Sequence, residues 1–119
     1  MDTITKEIYR ERMLELKERY KYNDNDVAKY KKLLTEVFDI RYSILMDDLI
    51  DKEREIYALS KTEGTQQEQI NLYREIQVEL RSLTDEARKF GLKEDSNYII
   101  ALSDLWNKYM DIITNLQNQ

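Results

Sequence analysis

Cysteine, histidine and proline are absent from this chain of 119 residues, and glycine occurs only as Gly64 and Gly91. Each absence removes a class of chemistry. Without cysteine there is no disulfide framework, no thiolate-held zinc or iron–sulfur cluster and no thiol nucleophile. Without histidine there is no imidazole base, so neither a Ser-His-Asp nor a Cys-His arrangement can form. Two isolated glycines make no phosphate-cradling loop. Carboxylates, lysines, tyrosines and a carboxylate-bound divalent metal are what remain for catalysis. A chain that is 36% charged yet almost free of helix breakers predicts long helices rather than strands and turns. The expected fold class is therefore all-α, as a single helical domain over residues 1–119, with no enzymatic activity and no cofactor.

Long apolar runs are lacking too. The longest reaches from Tyr98 to Leu102, against the roughly 20 residues that a membrane-spanning helix requires. No membrane association is expected. Met1 to Glu7 shows neither a basic nor an apolar leader segment, and a cytoplasmic location is the corresponding expectation.

What the chain does have is charge, with 19 Lys and Arg against 24 Asp and Glu for a net −5. Residues 1–41 carry +1 and residues 42–119 carry −6. The basic side chains of the first part, Arg10, Lys17, Lys21, Lys29, Lys31 and Lys32, are candidate contacts to a phosphate backbone. Interleaved with Glu7, Glu11, Glu15 and Glu18 at helical spacings, they also suit a solvated helix face. The acidic remainder suits a basic protein partner, because charge complementarity steers association.

The period of the apolar residues predicts four amphipathic helices, in a bundle or hairpin. The first, at about 3–20, turns Tyr9, Met13, Leu16 and Tyr20 inward and stops at Asn23-Asp24-Asn25-Asp26. There Asp24 or Asn25 is placed to cap the next helix. The second, at about 26–60, carries Val27, Tyr30, Leu34, Val37, Phe38, Leu45, Leu49, Ile56 and Leu59, with Arg41 and Lys52 interrupting the stripe. At 1.5 Å per residue it is about 50 Å long. That length calls for a bend between Arg41 and Asp51 or for a far end packed on another subunit. A break at 61–65 follows. Thr65 and Glu68 there have the spacing of a capping box, each side chain satisfying an amide.

The third helix, at about 66–90, sets Tyr73, Ile76, Leu80, Leu83, Ala87 and Phe90 in a heptad seam. It ends at Gly91, where a left-handed residue is expected, with Leu92 following. Asp95 or Ser96 caps the fourth, at about 96–116, whose seam is Ile99, Leu102, Trp106, Tyr109, Ile113 and Leu116. Tyr98, Leu105 and Ile112 widen this face beyond what one neighbouring helix covers. The seams are accordingly candidate surfaces for a homo-oligomer or a protein partner.

Two carboxylate groupings could hold a divalent cation. Asp47, Asp48 and Asp51 lie together on the second helix, with Lys52 and Arg54 as local countercharge. Glu15 and Glu18 with Glu36 and Asp39 form Glu-x-x-Glu followed by Glu-x-x-Asp, which resembles the Mg²⁺-binding pattern of the all-α nucleoside triphosphate pyrophosphatases. That resemblance implies metal-assisted attack of water on a phosphoanhydride.

A different resemblance covers residues 13–97. The run from Ile70 to Ser96, a leucine-seamed helix closing on Phe90-Gly91-Leu92, resembles the C-terminal helix of tailed-phage terminase small subunits of the HK97-like kind. Tyr22 to Asp39, a short polar loop entering a long helix with an aromatic face, is similar to the same family's upstream segment. The resemblance implies a non-enzymatic, ring-forming protein that recognises the packaging site on viral DNA and presents it to the motor subunit. On that reading the heptad seams are assembly surfaces and the six basic residues contact phosphate. The competing expectation is a small acidic adaptor, chaperone or inhibitor that binds a basic phage or host protein.

Overall fold

The computed structural model describes residues 3–22 and 27–119, the side chains of Tyr20, Lys21 and Tyr22 excepted. The described residues form four helices and no strand: α1 Thr3–Tyr22, α2 Val27–Ser60, α3 Gln66–Lys89 and α4 Asn97–Gln117. The all-α reading holds, with helix ends within two residues of those expected. The proposed cap at Asp24 or Asn25 and the inward placement of Tyr20 lie outside the described residues and side chains.

The chain divides into two compact units, residues 1–47 and 48–119. The boundary falls inside α2, within the 41–51 stretch where its length called for relief. It does not fall in the 61–65 turn, which joins α2 to α3 within the second unit.

In the first unit, α1 buries Met13 and Leu16, and α2 buries Leu33, Leu34, Val37, Phe38, Ile44 and Leu45. Burying a side chain of this kind contributes roughly 1.5–3 kcal/mol. Val27, expected to open the inner stripe, is instead 60% exposed. Arg12 ties the two helices together, with Nε 3.4 Å from Glu36 on α2 and Nη1 3.4 Å from Glu15 on its own helix. Arg19 reaches Glu15 from the other side at 3.3 Å.

The second unit is an α3–α4 hairpin packed with the end of α2. Ile76, Leu80, Leu83, Ala87 and Phe90 of α3 are buried, as are Tyr98, Ile99, Leu102, Tyr109 and Ile113 of α4. From α2 come Leu49 and Ile56, also buried. The end of α2 therefore packs within its own chain, where a second subunit was one of the two expectations. Lys52, which interrupted the apolar stripe, is half-buried and reaches Glu75 on α3 at 2.7 Å. That hydrogen bond, followed by the charge of Glu75, raises the lysine above its usual pKa despite opposing desolvation.

Both turns of this unit follow from local chemistry. Gly91 adopts φ +101°. Its amide donates to Arg88 O, and that of Leu92 donates to Ala87 O, both at 3.0 Å. These two bonds are the Schellman pair that satisfies the open carbonyls of α3. Ser96 then caps α4 by accepting from the Ile99 amide at 3.4 Å. The capping box at the start of α3 does not form. Thr65 makes no side-chain cap bond; it is buried, with its hydroxyl 2.6 Å from Leu59 O and 2.9 Å from Thr62 O. Leu59 O, near the end of α2, also accepts the Thr62 amide at 3.0 Å, and Thr62 O belongs to the turn that follows. These two carbonyls draw the hydroxyl away, while Gln69 Nε2 donates back to it at 3.1 Å.

Candidate functional site

Arg74, Arg81 and Arg88 stand seven residues apart on α3. A straight helix drifts only about 20° per heptad, so the three share one face. Beside them on α4 are Trp106, the chain's single tryptophan, and Asn107. Two shallow depressions lie along this line and share Arg81 and Trp106 as walls. One extends over Thr84, Arg88, Ser103 and Asn107, the other over Arg74, Gln77 and Val78. Together they form an open groove between α3 and α4.

The floor of the groove is held by polar groups that the apolar seam contains. Gln77 and Thr84, also seven residues apart, are both buried. Gln77 Nε2 donates to Trp106 O at 3.2 Å and lies 3.7 Å from Met110 Sδ. Thr84 Oγ1 donates to Leu80 O at 2.8 Å. The first bond fixes the position of Trp106 on α4 against α3, and satisfying the buried amide avoids a penalty of about 1–3 kcal/mol.

The three arginines differ in what they meet. Arg88 is forked onto Glu94, with Nε 2.5 Å from Oε1 and Nη2 3.1 Å from Oε2, and its Nη1 lies 3.3 Å from Asp85. These hydrogen bonds raise Arg88 and hold the Glu94 carboxyl below the usual carboxylate range. Arg74 and Arg81 have no ion pair among the described residues. Next to them Val78 is 71% exposed, and Met110 is exposed on the facing helix. Two open guanidinium groups, a half-buried indole and exposed aliphatic carbon make a surface able to bind carboxylates and an apolar side chain together.

The residues singled out from sequence are placed as follows. Ile76, Leu80, Leu83, Phe90, Ile99, Leu102, Tyr109 and Ile113 are buried in the single chain, and Tyr73, Trp106 and Leu116 are half-buried. The seams thus pack α3 on α4 within the chain, with Tyr73, Trp106 and Leu116 at their partly open margins. Arg10, Lys17, Lys29, Lys31 and Lys32 are exposed in the first unit. Arg10 and Lys17 share one face of α1, while the side chain of Lys21 lies outside the described set.

Of the four carboxylates of the pyrophosphatase-like pattern, Glu15 and Glu36 converge on the guanidinium of Arg12, and Glu18 and Asp39 are exposed. Asp51 is drawn toward Arg54 at 3.9 Å. No three acidic groups among the described residues come together as a metal site. No described helix is long and apolar enough to cross a membrane. Comparison with family models, with curated proteins and with solved structures finds no match.

The arginine ladder was absent from the sequence expectations although its heptad spacing was available. Net charge over residues 42–119 sums to −6 and conceals a local basic line within an acidic stretch.

Proposed function

We propose that the chain is a non-enzymatic helical interaction protein of the cytoplasm that meets a protein partner through the α3–α4 groove. One observation carries this reading: Arg74 and Arg81 stand open beside Trp106 and an exposed Val78. Tryptophan and arginine dominate the energetics of protein interfaces, because each combines a large contact area with directional hydrogen bonding. The sign of the groove revises the adaptor reading: here an otherwise acidic half offers cations, so an acidic partner segment fits. A photo-crosslinking amino acid at position 78, in cells that express the chain naturally, tests the proposal. A discrete protein adduct that disappears in the R74E/R81E chain is expected; adducts to nucleic acid alone, or no adduct, would overturn it.

A second reading, a DNA-packaging oligomer like a terminase small subunit, is favoured by the exposure of Arg10, Lys17, Lys29, Lys31 and Lys32 in the first unit. In that reading assembly uses outward-facing residues, since the heptad seams are occupied within the chain. Replacing Lys29, Lys31 and Lys32 by Glu should then weaken duplex binding uniformly across sequences and flatten its salt dependence. Unchanged binding to duplex DNA removes those residues from the reading.

A further inference from the structure

We propose that helix α1 of a second copy of this chain occupies the α3–α4 groove, in antiparallel orientation, giving a head-to-tail contact. The proposal rests on the groove being a protein-docking surface and names its occupant. Glu11 and Glu18 on α1 are seven residues apart and exposed, and among the described residues neither has an ion pair. Arg74 and Arg81 have the same spacing, about 10.5 Å along a helix axis at 1.5 Å per residue. In antiparallel register Glu11 faces Arg81 and Glu18 faces Arg74. Leu14, three residues after Glu11, then falls opposite Val78, three residues before Arg81.

These two aliphatic side chains are among the most exposed large apolar residues of the described chain, at 64% and 71%. Pairing them removes both from water in one contact. Glu7, one turn earlier on the same face of α1, falls opposite Asp85, which already binds Arg88 at 3.3 Å, and gains no cation there. The contact therefore uses two carboxylates and one leucine.

A single helix seated in an open groove buries less than the roughly 1,200–2,000 Å² of a stable interface. Association should accordingly depend on concentration and weaken with salt, which screens exposed charges over about 10 Å at 0.1 M. The two patches differ, so the contact is heterologous: copies either close into a ring or run on as a filament.

Sedimentation velocity of the full-length chain at rising concentration tests the proposal. The average mass is expected to reach at least twice that of the monomer and to fall back as salt is added. The R74E/R81E chain and the E11R/E18R chain should each remain monomeric. An equimolar mixture of the two should associate again, because each reversed patch then finds its complement. A wild-type chain that stays monomeric throughout overturns the second copy as occupant, while a protein adduct from position 78 would still identify the groove as a docking surface. Association of wild type without restoration in the mixture places the contact elsewhere and overturns the proposal as well.

Discussion

Tyr109 on α4 donates a hydrogen bond of 2.8 Å to Glu53 on α2. Its ring is 1% exposed and lies 5.6 Å, centroid to centroid, from the ring of Tyr73 on α3. One residue therefore joins all three helices of the second unit, with its ring in the core and its hydroxyl at an exposed carboxylate. Tyr109→Phe keeps the packing and removes the bond, and should cost about 1 kcal/mol. Glu53→Gln should cost less, because the amide oxygen can still accept. Urea unfolding of both variants checks the order.

The heptad seams make a larger prediction. Leu102 is fully buried between the helices of the hairpin, and its truncation to alanine removes contacts and leaves a cavity. A loss of about 3 kcal/mol is expected. Ile100, two residues away and exposed, should tolerate alanine with a change below about 0.5 kcal/mol. Paired thermal melts distinguish them.

Gly91 isolates a backbone effect. A Cβ added there meets nothing within 4 Å, so Gly91→Ala carries no steric clash with neighbours. Its cost comes from the left-handed φ of +101° alone and should be about 1 kcal/mol. Asparagine, which tolerates that region better, should restore part of the loss. Equal losses for the two substitutions would locate the cost elsewhere than in φ.

Stability should fall at alkaline pH. Lys52 is raised by its hydrogen bond to Glu75, and Tyr73 is raised by burial and then by the charge of Glu53. A group with a raised folded pKa contributes fully below its unfolded pKa and is lost as pH climbs through the folded value. Both unfolded values lie near 10, which places the loss above that pH. Lys52 and Glu75 are partly and largely exposed, so screening limits the pair to at most about 1 kcal/mol near neutrality. Y73F, which cannot ionise at this position, should lose less stability than wild type when urea unfolding is repeated above pH 10.

The fold was legible wherever one apolar face dictated it. The steps of three and four from Ile76 to Phe90 and from Ile99 to Leu116 marked α3 and α4, and Gly91 marked the turn between them. Thr65 was misread because a capping box is a local rule. Its hydroxyl obeys carbonyls brought close by the end of α2. The seams were legible as apolar faces but not as to what covers them, since spacing does not say whether the covering helix belongs to the same chain. Of the candidate site, the heptad of Arg74, Arg81 and Arg88 was readable in principle. The pairing of Arg88 with Glu94 depends on the fold of the turn and was not.

Trp106 offers the most direct measurement of the groove, because it is the chain's single tryptophan and lies between Arg81 and Arg74 in the shared wall. Collisional quenching of its emission by iodide and by caesium compares anion and cation access to one site. The groove predicts that iodide quenches more strongly than caesium, that R74E/R81E removes or reverses this preference, and that quenching declines when the docking partner is added. Equal quenching by the two ions, unaltered by the double substitution, would contradict the assignment of this face as an open cationic docking surface.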